Sequence, residues 1–261
     1  RDRHRKQGKA KGMTVGAPPM NSNNLSDSGS EFLASMGEHI EELRKRLLIV
    51  FLTLIIAVIA SFFFARPLMN WLSLPVGGLS ALQSIEITEN MTAAMNVSLL
   101  CGVILASPMV FYQFLAFVLP GLKENEKRMV WLFLPAMILF FLIGALFAFY
   151  VILPAAIPFL TSFLGIKTAI RTGSYIKFTT GLMFWIGVSF ELPVVIYILA
   201  KVGVVNAALL LKEWRIAVVV CAVLAMVITP TTDPVNMMLV MVPLVLLYFL
   251  SVLFASFAKK G

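Results

Sequence analysis

Charge is scarce in this chain: only 13% of its 261 residues are Asp, Glu, Lys or Arg. A soluble domain carries roughly 25%, so there are too few charged side chains to cover a water-facing surface. Cysteine is scarcer still. Cys101 and Cys221 lie inside apolar stretches with no CxxC or metal-ligand spacing. That excludes a disulfide framework or a zinc site and leaves two small buried hydrophobes. HExxH, GxSxG, paired aspartates on facing spans and a nucleotide-binding loop are all missing. Nothing therefore supports an intramembrane protease or an ATPase, and neither enzymatic activity nor a cofactor or metal is expected. The net charge of +8 does not point to nucleic acid, because the basic residues fall between apolar runs rather than on one folded face.

Apolar runs dominate instead, with 60% of the residues hydrophobic. Six windows free of charge, or nearly so, read as spans: Leu47–Ala65, Met91–Leu119, Met129–Leu153, Phe178–Ala200, Ile216–Pro230 and Pro234–Phe257. Ser107-Pro108 interrupts the second and should kink it. The fifth covers only about 21 Å at 1.5 Å per residue, against a hydrocarbon core of roughly 30 Å. The reading is an all-α integral membrane protein of six spans arranged as a concave bundle. Two segments between spans, Arg66–Asn90 and Pro154–Lys177, are too structured or too apolar to float free. They read as short helices capping one end.

An even number of spans puts both termini on one side. Lys and Arg number nine before Leu47, three in 120–128, three in 201–215 and two in the tail, seventeen against four (Arg66, Lys167, Arg171, Lys177) on the other face. The positive-inside bias makes both termini cytoplasmic. Residues 1–30 read as a basic, Gly/Pro/Asn/Ser-rich leader, disordered and without the apolar core of a secretory signal. Position 1 is not methionine, which leaves a non-native leader as an alternative. The membrane domain is 31–258 and the tail 259–261.

The densest chemistry sits against the first span, in His39-Ile-Glu-Glu-Leu-Arg-Lys-Arg-Leu47. At helical spacing Ile40, Leu43 and Leu47 form an apolar stripe. Glu41–Lys45 and Glu42–Arg46 fall at favourable i,i+4 spacing around the remaining surface. Ser35-Met-Gly-Glu38 matches a capping box, so a helix is expected to start near Met36. Anchoring at an interface asks only for Lys and Arg; three glutamates in the same turns ask for another explanation.

Within the spans, polar residues are the functional candidates. Glu191, in Gly187-Val-Ser-Phe-Glu-Leu-Pro193, is the outlier at mid-span. Either a protonated Glu191 donates locally to backbone freed by Pro193, or it faces a hydrated cavity or a partner. Asp233 before Pro234 reads foremost as a helix N-cap. Tyr112 and Gln113, one turn past Pro108, form a polar pair suited to joining helices. Glu124 and Glu126 stand at the start of the third span, where a helix dipole favours carboxylates.

Five stretches in register resemble the TatC family, the multispanning subunit of the twin-arginine protein translocase. They are the His39–Leu47 signature; Leu74-Pro75-Val-Gly77; Ser107-Pro108 through Tyr112-Gln113 to Phe117-Val-Leu-Pro120-Gly121-Leu122, with Glu126 beyond; Gly187–Pro193 with Phe190; and Thr229-Pro230-Thr-Thr-Asp233-Pro234. The resemblance covers about Ser35 to Ala258. One departure is the pair Asn236-Met237, where the family often carries Ser/Thr-Gln.

The resemblance implies a non-enzymatic receptor in the bacterial cytoplasmic (inner) membrane. It would bind twin-arginine signal peptides of folded precursors and recruit single-span TatB-like and TatA-like partners, as a homo-oligomer within the receptor complex. Carried over, Glu42 and Glu126 would receive the signal's guanidinium groups, with Arg44, Arg128 and His39 ordering the site. Glu191, Tyr112, Gln113 and Asp233 would form an intramembrane polar or partner site. Pro108, Phe117, Pro120, Phe190 and Pro193 would shape the motifs. The alternative is a proton-coupled small-solute transporter with Glu191 as its carrier carboxylate.

Overall fold

This computed structural model describes residues 22–118, 124–162, 168–229 and 233–258. The chain divides into two compact units, Arg1–Lys45 and Arg46–Gly261. Among the described residues five helices are long and apolar enough to cross a membrane: Ile40–Phe62, Glu89–Phe117, Phe133–Ser162, Thr172–Val202 and Pro234–Phe257, with Trp214–Ile228 as a shorter apolar helix. These are the six expected spans; Pro234–Phe257 has the expected ends and the other five differ at theirs.

Helix α1 (Ser22–Phe62) begins well before the expected start near Met36. No proline separates Ser22 from Phe62, and Gly29 and Gly37 each weaken a helix by only about 1 kcal/mol. Residues 22–30, expected to be disordered, are therefore helical; the leader's first 21 residues lie outside the described ones. A short helix α2 (Ala65–Leu72) and two 3-10 turns, Leu74–Val76 and Leu79–Ala81, follow. Gly77 closes the first turn at φ 96°, a conformation open to glycine and strained for other residues.

Helix α3 (Glu89–Val118) is the second span. Pro108 cannot donate to the carbonyl of Ile104, and the Ser107 hydroxyl donates to it instead at 2.8 Å. Helix α4 (Glu124–Phe147) passes through one π turn, Ala148–Ile152, into α5 (Leu153–Ser162). The expected separate capping helix around Ile157 is thus the end of the third long helix. Pro154 and Pro158 deny donors to the carbonyls four residues before them, and the wider turn lets the chain continue.

Helix α6 (Thr172–Ser189) and α7 (Leu192–Val202) are joined by a turn at Phe190–Glu191. Asn206 accepts from Leu209 N at 2.7 Å to cap the short α8 (Ala207–Lys212). Helices α9 (Trp214–Ile228) and α10 (Pro234–Phe257) complete the chain.

A two-residue parallel pair, β1 (Leu82–Gln83) with β2 (Ile170–Arg171), joins the two segments expected to cap one end. Beside it Glu89, the first residue of α3, is only 6% exposed. Its Oε2 accepts from Ile85 N at 2.9 Å and Glu86 N at 3.3 Å, and its Oε1 accepts from Gly173 N at 2.7 Å. One carboxylate so fastens the starts of α3 and α6, where helix dipoles favour negative charge. Arg171 adds a 2.8 Å bond to Glu86 and lies 3.6 Å from Glu89 Oε2. A Cβ on Gly173 would come within 2.8 Å of Glu89 Cγ, so the residue there has to be small. Tyr175 donates to Leu72 O at 2.6 Å, tying α6 to the end of α2.

The main core lies among α3, the α4–α5 helix, α6, α9 and α10, around Val97, Phe149, Ile176, Ile186, Ala225 and Leu244. Two glycines allow α4 and α6 to meet closely. A Cβ on Gly144 would lie 2.9 Å from Gly187 Cα, and one on Gly187 would lie 2.8 Å from the Phe141 ring. Such small-residue contacts let helices associate by packing alone in lipid. On the other side of α3, Gly102 meets the backbone of Val58 in the same manner.

Gly187→Leu is expected to force α4 and α6 apart and destabilise the detergent-purified protein by about 1–3 kcal/mol, read as a lower melting temperature. Gly181→Ala, where a Cβ meets nothing within 4 Å, should change stability by less than about 0.5 kcal/mol. Equal effects at both positions would refute the close crossing.

Candidate functional site

The cytoplasmic set predicted from sequence begins on α1. Glu41 and Lys45 form a 2.9 Å ion pair with both side chains largely exposed. Glu42 is half-buried and Arg44 is exposed. One residue further, Arg46 donates to Gln113 Oε1 of α3 at 3.0 Å. Gln113 is 7% exposed, whereas neighbouring Tyr112 is 42% exposed. The pair is therefore split: Gln113 joins helices and Tyr112 presents its ring outward. Glu126 and Arg128 stand in the first turns of α4. Their side chains, that of His39, and Pro120 lie outside the described residues.

The intramembrane set is built around the motif at the α6–α7 turn. Gly187 allows α4 to approach, and Phe190 packs on Phe147 with ring centroids 5.6 Å apart. Pro193, buried, occupies the first turn of α7. Glu191 between them is 7% exposed, and neither carboxyl oxygen has a hydrogen-bond partner among the described residues. Local donation to freed backbone, one of the two readings of Glu191, is not what the structure contains. Ser189, whose carbonyl Pro193 leaves without its helical donor, turns its own hydroxyl to Trp185 O at 2.8 Å.

Asp233 is the N-cap of α10. Its Oδ1 accepts from Asn236 N at 2.7 Å and its Oδ2 from Asn236 Nδ2 at 2.9 Å, with Pro234 in the first turn. Asn236 therefore serves the cap. Among the described residues no hydrogen bond links Glu191, Tyr112, Gln113 and Asp233 to one another. Phe117 lies 37% exposed near the end of α3, and Pro108 is exposed on its flank.

The sequence reading missed Glu89, Arg171 and the β1–β2 pair. Their signal was available in part: Glu86-Ile-Thr-Glu89 places acids before an apolar helix, and Arg171 is one of three cations, with Lys167 and Lys177, in the other capping segment. Which acid meets which base across 85 residues is a tertiary fact. Among the described residues no cluster of His, Cys, Asp and Glu suits a metal ion.

Comparison with known proteins adds an independent line. The family profile of the Sec-independent protein translocase protein (TatC) matches residues 38–243. The chain is 35% identical over 225 residues to the Sec-independent protein translocase protein TatC of Carboxydothermus hydrogenoformans, covering 85% of this chain and 93% of that protein. It is 34% identical over 230 residues to TatCy of Bacillus subtilis, covering 87% and 90% respectively. The chloroplastic TATC of Arabidopsis thaliana is 35% identical over 247 residues, 88% of this chain and 72% of that one. A crystal structure of the twin arginine translocase receptor TatC superposes with a TM-score of 0.76 at 33% identity, covering 85% of this chain and all (100%) of that one. With the profile match spanning most of the chain and the fold in agreement, this multi-pass membrane protein belongs to the TatC family of Sec-independent protein translocase subunits.

Proposed function

We propose that this chain is the receptor subunit of a twin-arginine translocation system in a bacterial cytoplasmic membrane, with both termini cytoplasmic. The observation that carries the reading is the acid–base turn of α1, set where a helix enters its apolar run, in a chain of the TatC family. Guanidinium–carboxylate pairing is bidentate and directional, so carboxylates at Glu42 and Glu126 can prefer arginine over lysine. Arg44, Arg128 and His39 would order them. The signal's apolar segment, or the single spans of TatA-like and TatB-like partners, would meet Glu191. Its unpartnered, buried carboxyl supports that role, because a polar group left unsatisfied in the fold gains most from an incoming donor. Assembly as a homo-oligomer within the receptor complex belongs to the same proposal.

Orientation is checked by labelling. With both native cysteines replaced, a cysteine at exposed Ser80 should react with an impermeant reagent from outside intact cells, and one at Asn125 or Lys260 should not. Thr172, which the charge pattern alone would also suggest, is 5% exposed and makes a poor probe. Labelling of Asn125 from outside would overturn the orientation and the receptor reading with it.

Recognition is checked by crosslinking. Glu42→Lys with Glu126→Lys should reduce capture of a twin-arginine precursor by roughly tenfold or more, the equivalent of about 1.4 kcal/mol, while the protein stays inserted. Undiminished capture would mean that the two glutamates only decorate helix starts.

Glu191 is checked by three variants. Glu191→Gln should retain most transport, since it keeps an acceptor and adds a donor, whereas Glu191→Ala and Glu191→Leu should lose intramembrane crosslinks to signal or partner. The Leu variant should also melt no lower than the unaltered chain, because burying an unsatisfied polar group costs about 1–3 kcal/mol that leucine avoids. An inactive Gln variant with intact crosslinks would favour proton carriage instead.

A further inference from the structure

A cavity of about 680 Å³ lies beside the first half of α6, walled by α5, β2 and the end of α9. It touches neither the α1 acid–base turn nor Glu191. Its volume falls within the range of small-molecule sites, roughly 300–1,000 Å³. The polar lining is gathered near the start of α6: Ser174 and Lys177, with Thr161, Thr168 and Arg171 around them. The rest is apolar, including Leu160, Phe178, Trp185, Val227 and Ile228, and no carboxylate lines it.

The two cations differ. Arg171 is engaged by Glu86 and Glu89, whereas Lys177 makes no ion pair with any described residue. The first turn of α6 adds its own partial positive charge. Along α6, Ser174, Lys177, Phe178, Gly181 and Trp185 recur three or four residues apart and so share one face. That face is open at its middle, because a Cβ on Gly181 would meet nothing within 4 Å. Trp185 at its far end is 43% exposed.

Length decides what fits. From Ser174 to Trp185 the helix rises about 16 Å at 1.5 Å per residue, close to half of a hydrocarbon core of roughly 30 Å. A spanning peptide helix needs the whole thickness. An acyl chain of one leaflet needs half. A small anion would use Lys177 and leave the apolar stripe idle, and an uncharged apolar solute would do the reverse. A phospholipid uses both.

We propose that this cavity holds one phospholipid from the leaflet at the β1–β2 end of the molecule. Its phosphate is held by Lys177 and Ser174, and one acyl chain lies along α6 past Gly181 to Trp185. The assignment is independent of signal recognition, so either can fail without the other.

The test uses the full chain in detergent, with dioleoylphosphatidylglycerol added and retained lipid counted by native mass spectrometry. The unaltered protein should keep one lipid under conditions that strip the rest. Lys177→Gln and Gly181→Leu should each lower that occupancy about tenfold, and Lys212→Gln, outside the cavity, should not. As a second reading that does not depend on stability, bromine-labelled phosphatidylglycerol should quench the emission difference between the chain and its Trp185→Phe variant. Equal retention in all variants, or no quenching at Trp185, overturns the proposal and leaves only annular lipid. So does the finding that Gly181→Leu spares lipid retention but blocks crosslinking of a signal peptide to a cysteine at Ser174.

Discussion

In hydrocarbon no water is available to a stray backbone carbonyl, and each unsatisfied polar group costs several kcal/mol. That constraint is visible at three of the prolines within the spans. At Pro108 a neighbouring hydroxyl fills the gap, Ser107 to Ile104 O. At Pro154 the helix widens by one π turn and continues. At Pro193 the helix breaks and restarts, which creates the Phe190–Glu191 turn. These three prolines receive three different repairs, and the last of them leaves a carboxylate without a bonded partner among the described residues; Pro135 and Pro243 simply sit inside α4 and α10. Most small hydroxyls in the spans are spent on their own helices: Ser98 on Ala94 O, Thr180 on Ile176 O, Ser251 on Leu247 O. They are not available as recognition groups. The polar atoms left over, Glu191 above all, are therefore few and positioned.

The position of Glu191 follows from packing one turn earlier. Gly144 and Gly187 bring α4 and α6 together, and Phe190 fills the space beside Gly144 and stacks near Phe147. A ring wedged at that point fixes the azimuth of the turn, and the residue after it inherits its direction. The run Gly187-Val-Ser-Phe-Glu-Leu-Pro193 is thus one device: a glycine for approach, an aromatic wedge, a carboxylate and a proline at the restart of α7.

The six apolar helices were legible because charge-free windows of this length have few other uses, and the family was legible because five short motifs fell in register with them. Ends were less legible. The helix entering α1 starts earlier than its capping box implied, since a capping box favours a start but nothing upstream of it prohibits one. The third span runs on to Ser162, since a π turn tolerates the prolines that looked like boundaries. Of the candidate site residues, Asp233 as a cap and Gln113 as a joint between helices follow from local rules and one contact. The Glu89–Gly173 fastening and the Lys177 cavity were not legible, because each depends on segments far apart in sequence being adjacent in space.

Charged groups fall into two energetic kinds, and the difference bears on what each can do. At the β1–β2 end, Glu89 accepts three backbone N–H groups while Arg171 bridges to Glu86. The Glu89 carboxylate is fully engaged, so exchanging its partners would release the starts of α3 and α6, while Arg171 keeps its Nε without a partner among the described residues. On α1 the Glu41–Lys45 pair has both side chains about two-thirds exposed or more, at 67% and 71%. Pairs of that kind contribute about 0–1 kcal/mol. A ligand guanidinium can displace an exposed lysine at almost no loss and then gains a second, parallel hydrogen bond that an ammonium cannot offer. Discrimination between arginine and lysine is favoured where carboxylates are not already locked into the fold. The exposed Glu41–Lys45 pair permits such an exchange and the Glu89 fastening does not, which agrees with the receptor chemistry proposed for neighbouring Glu42 and with a structural role for Glu89.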